Sequence, residues 1–324
     1  MDTAILQALT REAVKKKFGR KRILVSKVVP RYPDSLEREY ERVVNAYMRV
    51  FHAALAERLP KLRVLLENGV RADAADDGQQ PTSVNRTVAE VAAFGTSLET
   101  LFEEISQDLV ERQGLFDLYG RIEKLTKLTR KLTVAEWKRV VKRTLGIDIM
   151  TDYYSGLKFR TLSDKWVADN VALTKTLPQE TLGKMKELVK TGYLNGSTGK
   201  TIVKQIQEAY GVDKNHALFI ARDQTAKLNA QITQEQYRDA GVSGYIWRTM
   251  DDNRVRDGHR HLNNKRFKLA EPPIVDAKTG RRCHPKEDYQ CRCMALPIFG
   301  IDDVVLPWEK DPYEATWQTK KEGN

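Results

Sequence analysis

Apolar residues recur every three or four positions through the first 240 residues, which is the spacing of amphipathic helices. Ser35 has the chemistry of an N-cap. The stripe that follows it consists of Leu36, Tyr40, Val43, Tyr47, Val50, Ala54 and Leu59, and it stops at Pro60. A second stripe consists of Val84, Val88, Val91, Leu98, Leu101, Ile105 and Leu109. The pattern therefore predicts two long helices, joined by an exposed loop at 73–82.

Shorter periodic segments follow, separated by Pro, Gly or capping residues. Thr133 and Glu136 form a capping-box pattern, which predicts a helix that starts there and ends before Gly146. Pro178 is expected at the first turn of a helix, and Gly211 is expected to stop one. The predicted helices of this part of the chain are 133–145, 163–175, 178–191, 199–210 and 213–240.

The pattern changes after residue 240. Residues 245–250 are aromatic and β-branched, 278–280 have turn composition, and 294–299 form a short apolar run. We therefore expect two to four strands in 243–300. The predicted fold class is α+β, with a mostly α-helical N-terminal part containing long helices and a small mixed α/β C-terminal domain.

These elements divide the chain into four predicted parts. They are a basic N-terminal arm (1–34), a helical domain (35–160), a C-terminal domain (161–300, with helices in 161–240 and a strand-containing unit in 243–300) and an acidic, aromatic tail (301–324). The tail carries Trp308, Tyr313 and Trp317 without periodicity. We expect these aromatics to pack on the body of the chain or on a partner.

Composition narrows the class of protein. The 324 residues are 41% apolar and 31% charged, which is typical of a folded, soluble chain. No run of about 18 apolar residues is present, and the first thirty residues lack a signal-peptide pattern, so we expect synthesis in a cytoplasm and no membrane partner. Three cysteines argue against a disulfide framework and leave reduced thiols or metal ligands.

Charge is distributed in blocks within a net charge of +11. Residues 1–31 hold nine Lys or Arg against two acidic residues, and 121–160 hold eleven against four, whereas 71–120 are acidic. The basic blocks indicate contact with a polyanion such as DNA, although a solvated helix face gives the same pattern. The candidate DNA-contacting residues are Lys15, Lys16, Lys17, Arg20, Lys21 and Arg22.

All three cysteines and three of the five histidines lie within 259–293. His259, Cys283, Cys291 and Cys293 could supply the four ligands of a structural zinc ion. The C-x₂-C spacing of familiar zinc fingers is absent, and the two thiols of Cys291 and Cys293 would point in opposite directions on a strand. Buried, reduced thiols are the alternative that this spacing leaves open.

Asp252, Arg254, Arg256 and His259 resemble a general base with a phosphate clamp, as a phosphodiester hydrolase would need. The segment has no carboxylate pair at metal-binding spacing beyond adjacent acids, and no Gly-rich phosphate loop. We therefore expect Asp252 to make charge-assisted hydrogen bonds with Arg254, Arg256 or Arg292, which would fix the turn after the Trp247 strand. Trp247 itself is expected in the core.

In order along the chain, these features resemble the phage Mu protein F family of minor head proteins. The residues that carry the resemblance over about 160–300 are Arg222, Asn229, Trp247, Asp252, Arg254, Arg256, His259, His284, Pro285, Cys291, Arg292 and Cys293. Asp223-Gln224 stands where the family usually has Thr-Glu, and Asn263-Asn264 stands where a Gly commonly follows the Leu. The first departure puts a catalytic role for that Glu in doubt.

The resemblance implies a structural, non-enzymatic minor head protein of a tailed bacteriophage. It implies procapsid assembly with the portal, scaffolding or major capsid proteins, a place inside the head near the portal, contact with packaged double-stranded DNA, and a role in packaging or ejection. No cofactor is expected apart from the zinc considered above. The alternatives are a metal-dependent nuclease or toxin-like enzyme on the same scaffold, and a host-type nucleic-acid-binding module.

Overall fold

The computed structural model describes residues 3–19, 21–69, 87–149, 157–250 and 252–306. The predicted loop at 73–82, the candidate Arg20 and the tail aromatics Trp308, Tyr313 and Trp317 lie outside these residues. Long helices dominate the described chain, which is 68% helical. The helices are α1 (Thr3–Phe18), α2 (Asp34–Gly69), α3 (Val88–Leu115), α4 (Leu118–Leu145), α5 (Leu157–Leu194), α6 (Gly199–Asp239) and the short α7 (Asp257–Arg260).

Six strands form two antiparallel sheets in the described residues. They are β1 (Ile23–Val25), β2 (Gly244–Arg248), β3 (Arg266–Lys268), β4 (Ile274–Asp276), β5 (Arg281–Arg282) and β6 (Met294–Gly300). The larger sheet has the order β1-β6-β2-β3, and β4 pairs with β5. Five of these strands lie in 243–300, which is more than the two to four that the sequence predicted. The α+β fold class is confirmed.

The chain forms two compact units, each assembled from separate stretches. The first unit comprises 1–38, 124–166 and 222–324, and it contains both sheets. The second unit, which we call the helical unit, comprises 39–123 and 167–221. The predicted boundary between residues 160 and 161 falls within α5. The four-part division of the chain stays a prediction.

Several predicted helix ends are wrong, because the helices continue through their presumed breakers. α2 passes Pro60 and buries Leu62 and Leu66 beyond it. A helix-interior proline costs about 3 kcal/mol, which burial of two leucines offsets. α5 likewise passes Pro178, which joins the predicted 163–175 and 178–191 into one helix, and α6 passes Gly211. Burial of the side chains on both sides of a proline or glycine thus outweighs the tendency of that residue to end a helix.

The capping-box pattern at Thr133 and Glu136 does not start a helix, because α4 already runs from Leu118. The Thr133 hydroxyl donates to the Thr129 carbonyl at 2.8 Å, within the helix. The working capping box lies instead at Thr87, whose side chain accepts from the Glu90 amide at the start of α3. Val88, which was expected on the buried stripe of that helix, is 88% exposed because it sits in the first turn.

The N-terminal basic segment contributes to the sheet, which the sequence did not predict. β1 pairs with β6 in the register Ile23 to Gly300, and the Ser26 amide extends the pairing by donating to the Pro297 carbonyl. On the other side of β6, Trp247 of β2 lies opposite Ala295. Trp247 is fully buried, as predicted, and its ring is nearly perpendicular to that of His259, with the two centroids 5.3 Å apart.

Candidate functional site

Three of the four predicted zinc ligands meet in one buried group. His259 Nδ1 lies 3.6 Å from the Sγ of Cys291 and 3.6 Å from the Sγ of Cys293, and all the ligand atoms lie within 4.8 Å of one another. Residues 291–293 are not in a strand, so the two thiols converge, contrary to the alternation expected from the sequence. Cys283 is buried but lies outside this group, which we call the thiol–histidine cluster.

The spacing of the cluster matches a tetrahedral metal site. Zinc–sulfur bonds of about 2.3 Å and zinc–nitrogen bonds of about 2.1 Å place neighbouring ligand atoms about 3.6 Å apart in tetrahedral geometry. Two thiols and one imidazole are also ligand types that zinc prefers. The residues therefore fit a zinc ion with three protein ligands and a fourth position left for another group.

Asp288 holds the imidazole of the cluster in place. Its carboxylate, with 1% of its side chain exposed, accepts from His259 Nε2 at 3.0 Å. Because a carboxylate has no proton to give near neutral pH, Nε2 is the donor and Nδ1 is directed at the thiols. Arg256 and Arg281 complete the group through their contacts with Asp288 at 3.3 Å and 3.0 Å. Metal-binding histidines commonly donate from their other ring nitrogen to a carboxylate, which fixes the orientation of the ring.

The electrostatics of the cluster favour one thiolate. A hydrogen bond from Cys293 lowers the pKa of Cys291 well below its ordinary value, against the opposing effect of burial, and His259 adds to this. The Lys286 amide donates to the same sulfur at 3.4 Å. Burial alone would lower the pKa of His259, but hydrogen bonding and charge from Cys291 and Asp288 raise it. A bound metal ion would displace the proton on Nδ1 and take the thiolate as a ligand.

Cys283 behaves as an ordinary buried thiol. Burial, followed by the charge of Asp288, raises its pKa to about 12. A thiol that stays protonated is a poor metal ligand and a poor nucleophile. The structure thus separates the three cysteines into two that face a histidine and one that does not.

Asp252 fixes the turn after β2 and has two of the three partners that the sequence predicted, Arg292 and Arg254. Its carboxylate accepts from Arg292 and, at 3.1 Å, from the backbone amide of Arg254. The hydrogen bond from Arg292 lowers the pKa of Asp252, against the opposing effect of burial. Arg256 instead contacts Asp288 and the Tyr289 carbonyl. Asp252 and Arg256 therefore act in two separate ties.

His284 and Pro285 lie on the other side of the same loop. The Tyr245 hydroxyl lies 2.9 Å from His284 Nδ1, and the His284 amide donates to Glu287 at 2.6 Å. Burial lowers the pKa of His284, so its imidazole is the neutral partner of a tyrosine. His261, two residues from His259, is exposed and does not join either group.

The α6 residues of the predicted motif attach this loop to the helices. Asn229 is buried, donates to the Thr133 hydroxyl at 2.8 Å and accepts from the Lys286 ammonium. Asp223, which stands where the resemblance expects Thr, is buried and accepts from the Gln290 amide at 3.0 Å. Arg222 lies exposed on the same helix. Asp223, where this chain departs from the family pattern, therefore holds the loop at Gln290 to α6.

Sequence reasoning missed Lys286 and Asp288, which are both buried at the centre of this region. They lie in the run Lys-Glu-Asp-Tyr-Gln between His-Pro and Cys-Arg-Cys, which has the composition of an exposed loop. The available signal for their burial was their position between two motif segments, His284-Pro285 and Cys291-Arg292-Cys293. Lys286 also has a φ of 73°, a left-handed conformation that is strained for a lysine.

A cavity of about 490 Å³ lies beside the cluster within the first unit. Lys286 lines it together with aromatic side chains, and burial lowers the pKa of this lysine to about 8. Glu136 also lines the cavity and is bound by Arg139 and, at 2.7 Å, by the Arg31 amide. Burial raises the pKa of Glu136, but these hydrogen bonds outweigh it and lower the pKa overall.

The candidate DNA-contacting residues within the described chain are exposed: Lys15, Lys16, Lys17, Lys21 and Arg22. α1 ends with the first three, and α4 ends with Lys142 and Arg143. The two ends meet, because a Cβ added at Gly146 would overlap the Lys17 ammonium. Basic residues from two separate sequence blocks therefore share one surface. We call it the basic surface, and it consists of Lys15, Lys16, Lys17, Lys21 and Arg22 of the N-terminal block with Lys142 and Arg143 of α4. None of the described helices is long and apolar enough to cross a membrane.

Comparison with known proteins agrees with the resemblance. Residues 183–296 match the family described as phage Mu protein F like protein. A Haemophilus influenzae protein described as uncharacterized is 30% identical over 190 residues, which cover 56% of this chain and 41% of that protein. The chain thus spans less than half the length of this relative. No solved structure matches the present chain. The motif from Arg222 to Cys293 lies inside the matched segment, and residues 183–296 are therefore similar to the phage Mu protein F like family.

Proposed function

We propose that this chain is a structural minor head protein of a tailed bacteriophage and a component of the virion, located inside the head near the portal. It joins the portal and the scaffolding or major capsid proteins during procapsid assembly in the host cytoplasm, and it assists DNA packaging or ejection. The family of residues 183–296 is one of phage head proteins and supports a part in head morphogenesis. That match is the observation that carries the proposal.

The geometry of the matched segment supports a structural role. Asp252 is neutralised by Arg292, and Asp288 is engaged by His259, Arg256 and Arg281. These polar groups satisfy one another within the loop, so their described contacts are those of internal ties. A nuclease would need a carboxylate or imidazole directed at substrate. We therefore place this chain among assembly proteins.

The thiol–histidine cluster binds one zinc ion in this proposal. Cys291, Cys293 and His259 would hold the metal, and zinc would act as a Lewis acid that ties α7 to the segment before β6. Asp288 orients the imidazole, and the Lys286 amide stabilises the Cys291 sulfur. The chain's own residues thus provide a prearranged site whose role is to fix the loop.

The basic surface contacts packaged DNA without sequence preference in this proposal. Its basic residues are exposed, and those in the last turns of α1 and α4 lie at helix C-termini, where the macrodipole favours cations. The long side chains would reach the DNA phosphates. Contacts with phosphates do not distinguish one base sequence from another.

Procapsid assembly tests the main proposal. The chain would be coexpressed with the portal, scaffolding and major capsid proteins of its phage, and particles would be purified with and without the portal. We expect the chain in portal-containing particles at low copy number and its depletion from portal-free particles. Equal amounts in both would contradict the portal association, and absence from both would contradict the head assignment.

DNA binding is tested separately, with a duplex of random sequence and fluorescence anisotropy at several salt concentrations. Replacing Lys16, Lys17, Lys21 and Arg22 by Gln removes four charges, so the slope of log K against log salt should fall by about three to four. The matched control replaces four exposed basic residues of the helical unit, Arg63, Lys190, Lys200 and Lys204. Equal losses in the two variants would contradict a dedicated surface.

A further inference from the structure

The cavity beside the thiol–histidine cluster has the size and the lining of a small-molecule site. Its volume of about 490 Å³ falls in the range of small-molecule sites, about 300 to 1,000 Å³. Aromatic and apolar side chains form much of its wall, among them Trp137, Tyr237, Tyr245, Leu269 and Met294. The cavity is open on the side of Ala135 and Leu132, which are exposed, so a small molecule can reach it from solvent.

Lys286 supplies a buried cation at this wall. Its side chain is nearly enclosed, with 6% of the residue exposed. The ammonium donates one hydrogen bond to Asn229 Oδ1 and lies 5.5 Å from the centroid of the Tyr32 ring. Asn229 is itself fixed by its bond to Thr133. An ammonium has three donors, so two remain for another acceptor.

No carboxylate of the described residues lies within 4 Å of this ammonium. Glu136 lines the same cavity, but Arg139 and the Arg31 amide engage it. The negative charges that act on Lys286 are those of Cys291, Glu136 and Glu37, and none of them forms an ion pair or hydrogen bond with its ammonium among the described residues. Buried lysines are normally paired directly, because a charge without a direct partner in an apolar setting is costly. The left-handed backbone at Lys286 adds about 1 kcal/mol or more of strain, and such strain clusters at ligand sites.

Gln236 adds a second donor to the same wall. It is 1% exposed, and its Nε2 has no hydrogen-bond partner among the described residues. Both unsatisfied groups, the ammonium and the amide, are donors, and the rest of the wall is mainly apolar. A ligand that satisfies them must carry acceptor oxygens at one end and an apolar body.

We propose that this cavity binds a small organic anion with an apolar body, such as a medium-chain or aromatic carboxylate, whose anionic group contacts Lys286. The carboxylate supplies the counter-charge, and the aromatic wall takes the hydrocarbon. This site is separate from the head-assembly role and does not depend on it.

Decanoate below its aggregation threshold is the probe, and isothermal titration calorimetry of the full chain is the measurement, with decanol as the uncharged analogue. We expect decanoate to bind, and Lys286→Met to weaken it tenfold or more while changing decanol binding less than threefold. Lys265→Met, at an exposed lysine, is the matched control and should leave both ligands unchanged. Circular dichroism and tryptophan fluorescence check that each variant folds.

A second variant locates the ligand and stays informative if Lys286→Met does not fold. Ala135 lines the cavity from an exposed position of α4, so Ala135→Trp can fill the space without disturbing the buried side of the helix. It should weaken decanoate and decanol alike, by about tenfold. Absence of decanoate binding at millimolar concentration, or equal affinity in wild type, Lys286→Met and Ala135→Trp, would overturn the proposal.

Discussion

The helical unit and the loop region around the thiol–histidine cluster are stabilised in different ways. In the helical unit, the buried positions are mostly apolar, with Phe51, Leu98 and Met185 as examples. Around the cluster, the buried side chains include His259 and Asp288, which depend on specific partners. Apolar burial is tolerant of substitution, whereas a polar tie fails when one partner is lost. The following variants test this contrast.

Removal of zinc is expected to have the largest effect. Zinc held at a thousandfold excess over its Kd stabilises the folded state by about 4 kcal/mol, and a chelator removes this contribution. The three tryptophans of the described residues, Trp137, Trp166 and Trp247, lie in the first unit, so their fluorescence reports that unit, while circular dichroism at 222 nm reports the helices of both units. We expect urea unfolding monitored by fluorescence to shift to lower concentration after chelation.

Two cysteine variants provide the control for the metal prediction. Cys291→Ser removes a proposed ligand and should abolish zinc binding in metal analysis, whereas Cys283→Ser should retain it because Cys283 lies outside the cluster. A zinc content near zero in the purified wild type would refute the site. Loss of zinc in both variants would restore the four-ligand prediction made from the sequence.

A core substitution in the helical unit should cost slightly less. Phe51 is fully buried on α2 and packs near Tyr210, with ring centroids 6.0 Å apart. Phe51→Ala should lower the free energy of unfolding by about 3 kcal/mol, measured by urea titration at 222 nm, because transfer and cavity terms add. Glu67→Ala, at an exposed position of the same helix, should change it by less than about 0.5 kcal/mol. A similar cost at both positions would argue against apolar burial as the main stabilising term.

Asp288→Asn tests a polar tie with almost no change in volume. The substitution leaves Arg256, Arg281 and the raised-pKa His259 without their shared counter-charge. The two arginines are about half exposed and remain solvated, so we expect a loss of about 2 kcal/mol, monitored by tryptophan fluorescence. Asp257→Asn, at a carboxylate with 94% exposure, is the matched control. Equal stability of the two variants would remove Asp288 from the structural account.

The same contrast explains what could be predicted from the sequence. Apolar stripes predicted the existence of α2 and α3, aromatic and β-branched composition predicted β2, and a short apolar run predicted β6. The ends of α2 and α5 were mispredicted at Pro60 and Pro178, because tertiary burial outweighs a local breaker. The apolar period shows which face of a helix is buried. It does not show whether the helix continues past a proline, because that depends on what the residues beyond the proline pack against.

The site was predictable by residue type and not by arrangement. Its rare residues, His259, Cys291 and Cys293, were identified, but their convergence depends on an irregular backbone that no periodic rule describes. Asp288 and Lys286 were missed because burial of a charged residue follows from its partners, which are distant in sequence. For the same reason the pairing of β1 with β6, almost three hundred residues apart, could not be read locally.

Glu136 offers the smallest and most specific test, because it is a polar tie that is only partly buried. Its hydrogen bonds to Arg139 and Arg31 lower its pKa in the folded state. A depressed carboxylate pKa contributes stability above the unfolded-state pKa of about 4.3, and this contribution is lost as pH falls through the lower folded-state value. Glu136→Gln should therefore be less stable than wild type by about 1 kcal/mol at pH 7.

This difference should shrink as pH falls below about 4 and disappear once Glu136 is protonated in the folded state. Urea titrations of both proteins, monitored by tryptophan fluorescence at each pH, measure it. Glu271→Gln is the control, since Glu271 is exposed and makes no ion pair within 4 Å among the described residues. A pH-independent difference for Glu136→Gln would mean that packing rather than charge stabilises this position. Polar ties would then resemble the apolar core more closely than the comparison of the two regions implies.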